Sequence, residues 1–108
     1  MNMSIQPGFD STMLKQVHEL IPDLEKSLGV AKDRVSVVWS PVTTQEGLAV
    51  NLQITDQGVS RSDNLTAHDF ARQTRAFFRM SRLWDSVLAE RERLITVRIR
   101  ESLAEEKH

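Results

Sequence analysis

The stretch Leu65-Thr66-Ala67-His68-Asp69-Phe70-Ala71-Arg72, continuing from Gln73 to His108 as QTRAFFRMSRLWDSVLAERERLITVRIRESLAEEKH, contains neither glycine nor proline. With neither backbone breaker present, it reads as one long helix. Its start is marked three times over. Thr66 suits the N-cap, Asp69 three residues later suits the reciprocal capping position at the positive end of the helix dipole, and Leu65 can staple onto Phe70. Glu105 and Glu106 sit unfavourably at the negative end, so fraying is expected over residues 104–108. A helix from Thr66 to Lys107 would be about 60 Å long at 1.5 Å per residue.

Two faces of this helix differ in chemistry. At about 100° per residue, Phe70, Phe77, Trp84, Leu88 and Ile95 fall within about 40° of one another, and Met80, Val87 and Leu94 widen the stripe. Phe77, Trp84, Leu88 and Ile95 are the residues expected to carry self-association. The apolar face is longer than a small domain can cover, and a second copy is the simplest cover. A break near Ser81 or Ser86, folding the helix back on itself, is the alternative, but no turn signal stands there. The seam is not a strict coiled coil, because Arg91 and Arg98 occupy the seven-residue continuations of Phe77 and Trp84.

On another side, Arg72, Arg75, Arg79 and Arg82 cover about 80° of arc. Guanidinium forks at this spacing could follow phosphates or an acidic protein surface. The plainer reading is a solvated face, or one paired with acids such as Asp23, Glu25 or Glu46. Beyond Asp85 the polar side mixes signs, as in a helix laced with local ion pairs.

Working outward from this helix, the chain shows an earlier one and a change of period between them. Asp10 or Ser11 can cap a first helix, with Phe9 stapling onto Leu14. Leu14, Val17, Ile21, Leu24 and Leu28 then recur at spacings of three and four, and Gly29 suits a left-handed end. Pro22 predicts a kink or a break inside it. From Val35 the period is two: Val35, Val37 and Trp39 alternate with Ser36, Val38 and Ser40, and Leu48, Val50, Leu52 and Ile54 alternate with Ala49, Asn51, Gln53 and Thr55. The loop from Pro41 to Gly47 is short enough for an antiparallel hairpin. Asp56 to Asn64 has the polar composition of a surface connection. The expected fold is therefore α+β in the order α-β-β-α: a helix, a two-stranded antiparallel hairpin and a long C-terminal amphipathic helix, completed by dimerisation. An isolated hairpin is marginal in water and needs such company.

The whole chain sets the outer limits. At 108 residues it fits one domain spanning 1–108, with residues 1–9 expected to be flexible. Hydrophobic residues at 40% and charged residues at 27% favour a folded, soluble domain over a disordered one. A net charge of −1 gives no global attraction to nucleic acid or to an anionic membrane. There is no cysteine, which removes disulfides and thiolate metal sites and makes the cytoplasm the default compartment. Neither a signal-peptide pattern nor a membrane-length apolar run is present.

Catalytic chemistry has no visible carrier. The three histidines, His18, His68 and His108, share no ligand spacing, and there is no glycine-rich phosphate loop, nucleophile elbow or His-Glu-x-x-His motif. No catalytic residue, cofactor or metal is assigned. An RNA-binding sheet would need exposed aromatics on four strands, and only Trp39 stands on a predicted strand. The function expected from the sequence is that of a non-enzymatic adaptor or interaction protein that homodimerises through its last helix, with room for a further protein partner. Binding of nucleic acid or an acidic partner by the arginine row is the less favoured alternative.

Overall fold

The computed structural model describes residues 1–106. Strand β1 (Asn2–Ile5) leads into helix α1 (Ser11–Leu28) and a 3₁₀ turn (Gly29–Asp33). Three strands follow, β2 (Ser36–Thr44), β3 (Gly47–Asp56) and β4 (Val59–Leu65), and then helices α2 (Ala67–Ala71) and α3 (Gln73–Glu106).

β2 and β3 pair antiparallel, with Val37 opposite Ile54 and Trp39 opposite Leu52. They are two strands of a larger sheet and not the two-stranded hairpin expected from the sequence, and this corrects the α-β-β-α expectation. The sheet is four-stranded and mixed, in the order β1-β2-β3-β4, with β1 parallel to β2 and the other pairs antiparallel. Residues 2–5, read from the sequence as part of a flexible start, form β1. Four residues are too few to display a period, and Asn2-Met3-Ser4-Ile5 is held by pairing rather than by composition.

The polar segment read as a surface connection contains β4. Gln57 and Gly58 both have positive φ (50° and 83°), the requirement of a two-residue hairpin of type I′. The register places Val59, Arg61, Asp63 and Leu65 opposite Asp56, Ile54, Leu52 and Val50, all on the face that carries the core. Two of these four side chains are charged, which hides the strand's alternation from a hydrophobic-periodicity argument.

α1 begins where its cap predicts: Asp10 Oδ1 accepts the Met13 amide at 2.8 Å. It runs unbroken through Pro22 to Gly29, whose φ is 58°. Val17, Leu20, Leu24 and Leu28 are buried in one cluster with Val37, Trp39, Val50, Leu52 and Ile54 of the sheet and with Val35 just before β2. α1 and α3 pack together, with Ser27 Oγ and Ser81 Oγ 2.9 Å apart. From α3 the core receives Ala76, Met80, Leu83, Trp84 and Val87.

The long helix is not continuous from Thr66. It breaks at Arg72, whose backbone is extended (φ −132°, ψ 105°), and not near Ser81 or Ser86. Arginine is a good helix former, so local propensity does not cause the break. Tertiary bonds hold it: Gln73 Nε2 donates to Asp23 Oδ2 on α1 at 2.9 Å, and Arg75 Nε donates across the break to Asp69 Oδ1 at 2.9 Å. The expected fraying over 104–108 falls partly on Lys107 and His108, which lie outside the described residues.

Candidate self-association surface

The structure divides the apolar stripe of the last helix into a part already covered and a part left open. Trp84 is 6% exposed and Leu88 is half-buried against the core, so both are occupied within the chain. Phe77, at 38%, lies at the margin of the core, and its neighbour Phe78 is 59% exposed. Ile95 marks the change. From Ile95 to Glu105 every residue is exposed. Over that length Ile95, Ile99 and Leu103, four residues apart, lie along one face and are about half exposed. Val97 stands on another side of the same segment.

The geometry follows from lengths. α3 has 34 residues, about 51 Å at 1.5 Å per residue. The molecule measures 60 × 30 × 25 Å. Helix α1 ends at Leu28, and the β3–β4 turn reaches α3 as far as Ile95 and Arg98, which line a small cavity with Gln57 and Val59; beyond it the end of α3 extends as an arm. Ile99 and Leu103 thus belong to an open stripe with Ile95, Trp84 belongs to the core, and Phe77 is partly exposed on the near side of Trp84. Ile99 and Leu103 were not singled out in the sequence. A four-residue step continued from Ile95 finds them, but only coverage tells them apart from Trp84.

The arginines divide in the same way. Arg79 grips Asp63 with bonds of 2.8 and 2.9 Å from Nη2 and 3.2 Å from Nε, while its Nη1 stands 3.9 Å from Asp69 Oδ2. The bond to Asp63 raises the guanidinium's pKa, against the opposing effect of burial. Asp69 is fully buried and accepts from the Thr66 amide (2.8 Å), the Thr66 hydroxyl (3.1 Å) and Arg75. Burial alone would push its carboxyl pKa up. The bonds from the Thr66 backbone, Arg75 and the Thr66 hydroxyl, with the charge of Arg79, outweigh burial and hold it below the ordinary 3.8.

Arg75 and Arg79 are therefore engaged with acids other than Asp23, Glu25 and Glu46. Arg82 lies over the Phe78 ring, 5.9 Å from its centre. Arg72 sits exposed at the helix break. The four do not form one free row.

Arg91, which interrupts the apolar stripe, turns inward instead. Its Nη1 donates to Asp56 Oδ2 at 2.8 Å, and Arg34 Nε reaches the same carboxylate at 3.3 Å. Asp56 is 1% exposed, so the pair of arginines clamps a buried charge where β3 ends, tying the middle of α3 to the sheet.

The helix-free face of the sheet carries Ser36, Ser40, Asn51, Gln53, Thr55, Ser60, Ser62 and Asn64, a neutral surface without aromatics on which bases could stack. Trp39 points the other way and is fully buried. Among the described residues, no three histidine, aspartate or glutamate side chains gather as a metal site. No described helix is long and apolar enough to cross a membrane. Comparisons with protein-family models, with curated proteins and with solved structures find no match.

Proposed function

We propose that this chain is a non-enzymatic assembly module of the cytoplasm, an adaptor that self-associates through the arm of α3. One observation carries the reading: Ile95, Ile99 and Leu103 form an apolar stripe, each about half exposed, along the last third of α3. Each such side chain gains roughly 1.5–3 kcal/mol when fully buried, and a stripe of this kind is its own best cover when a second copy lies antiparallel across it. Absence of cysteine supports the compartment, and absence of a recognisable catalytic motif supports the non-enzymatic role. The alternative, an anion-binding arginine row, is weakened because Arg75 and Arg79 already serve buried or half-buried carboxylates.

Light scattering tests the proposal. The intact chain should exceed the 12.3 kDa of one copy at micromolar concentration, and Ile99→Glu should lower its mass. An intact chain that scatters as a single copy would refute self-association.

A further inference from the structure

Both edges of the sheet are open, and they are not equivalent. β1 is four residues long and uncharged; β4 has seven residues, with no proline and no lysine. Among the described residues, no other element donates a backbone hydrogen bond to β4 from outside the sheet. Which of its backbone groups face outward follows from the turn. In a two-residue hairpin the residues flanking the turn, here Asp56 and Val59, exchange hydrogen bonds, and bonded pairs then recur every second residue. Val59, Arg61, Asp63 and Leu65 therefore bond to β3, leaving the amides and carbonyls of Ser60, Ser62 and Asn64 pointing away. Two side-chain bonds agree. The Asn64 amide donates to Asp63 Oδ1 at 2.9 Å, and the Ser60 carbonyl accepts from Arg61 at 3.4 Å.

We infer that β4 joins to the β4 of a second copy, antiparallel and two-fold about Ser62, continuing the sheet from one copy into the other. In that register Ser62 faces Ser62 of the second copy, and Ser60 faces Asn64, so the outward backbone groups bond in pairs once the Asn64 amide exchanges Asp63 Oδ1 for the Ser60 carbonyl of the other copy. Arg61 then stands directly opposite Asp63 of the other copy, twice by symmetry, on the face shared with α3. Both side chains are partly open to a partner, Arg61 at 46% and Asp63 at 38% exposure, even with their contacts to Glu90 and Arg79.

The charges select the register. Centring on residue 61 puts Arg61 opposite Arg61, and centring on 63 puts Asp63 opposite Asp63. Centring on 60 or 64 leaves the charges facing Val59 or Leu65. Only Ser62 as centre pairs every charge with its opposite, which is why the occupant is a second copy of this chain. A cavity of about 390 Å³ lined by Ser62, Asp63, Arg79, Arg82, Leu83 and Ser86 opens beside Ser62.

This contact rests on the reading of the chain as a self-associating module but uses a different surface from the α3 arm, so the two can be separated. Ser62→Pro removes an outward amide without touching a bond to β3. With both contacts present, Ile99→Glu alone and Ser62→Pro alone should each give a species of twice 12.3 kDa, and the double variant a single copy. If Ile99→Glu is already a single copy while the parent chain is larger, the β4 contact is overturned and the arm stands. If Ser62→Pro is a single copy and Ile99→Glu is not, the arm fails and β4 stands.

The register has its own test in the Ile99→Glu background. Arg61→Glu and Asp63→Lys should each abolish association, and an equimolar mixture should restore it, since each supplies the charge the other lacks. A mixture that stays dissociated with both chains folded by circular dichroism overturns the register. Should Asp63→Lys not fold beside Arg79, hydrogen exchange decides: the amides of Ser60 and Ser62 should be protected at high concentration and exchange freely on dilution. Concentration-independent exchange overturns the contact.

Discussion

Replacing Asp69 probes the joint between α2 and α3. Its carboxylate is fully buried, caps α2 through the Thr66 amide, and bonds Arg75 across the break at Arg72. Losing the cap costs about 1 kcal/mol. The bond to Arg75 adds about 0.2–1 kcal/mol, at the modest end because that guanidinium is 58% exposed. Arg79, 3.9 Å away and already held by Asp63, adds little. Asp69→Ala should therefore destabilise the chain by about 1.2–2 kcal/mol, which at roughly 4–8 °C per kcal/mol for a domain of this size lowers Tm by about 5–16 °C.

Asp69→Asn keeps the shape and removes the charge, so it reads the electrostatic part alone. The folded carboxyl has a pKa below the ordinary 3.8, so its contribution is fully present above the unfolded-state pKa and is lost as pH falls from about 4 through the lowered folded value. Urea melts of the parent and of Asp69→Asn at pH 7 and pH 3 measure it. The gap between the two should narrow towards the acid end. Parallel stability profiles from pH 7 to pH 3 would mean that Asp69 does not act as a paired carboxylate, and would refute the argument.

Other predictions follow from single features. The indole N–H of Trp39 is buried and meets no acceptor among the described residues, so Trp39→Phe trades a cavity cost of about 1 kcal/mol against relief of about 1–3 kcal/mol and should come out near neutral; a loss above about 3 kcal/mol in urea melts contradicts this. Asp56→Ala leaves Arg91, only 18% exposed, without its partner and should cost about 2–4 kcal/mol, less than a fully buried pair because Arg34 is open to water; a Tm unchanged within 2 °C would argue against the clamp. Gly58→Ala, at φ 83°, should cost about 1–2 kcal/mol through strain in the β3–β4 turn alone, with Asn in the same place costing less.

Where local chemistry suffices, the sequence is legible. The Asp10 cap and the Thr66–Asp69 helix start are interactions between residues a few positions apart, and each stands where its pattern places it, whereas the alternation of β3 fails at its start, where Leu48 is exposed and Ala49 buried. The candidate surface was legible only in outline. Phe77, Trp84, Leu88 and Ile95 share a face, but which of them remain open depends on how far α1 and the sheet reach along α3.

What the sequence by itself determined is the alphabet of elements: two amphipathic helices, two strands of period two, and an apolar stripe along the last helix. Tertiary structure decided the rest. β4 carries Arg61 and Asp63 on its core-facing side, and these become tolerable there only when Glu90 and Arg79 of α3 come alongside. The helix breaks at Arg72, where Asp23 holds Gln73 and Asp69 reaches across the break to Arg75, and Asp23 lies 50 residues away from Gln73 in sequence. Arg91 breaks the stripe because Asp56 waits beneath it. Each of these is a charge satisfied by a partner distant in the chain, and hydrophobic periodicity is blind to charges whose partners are supplied by the fold.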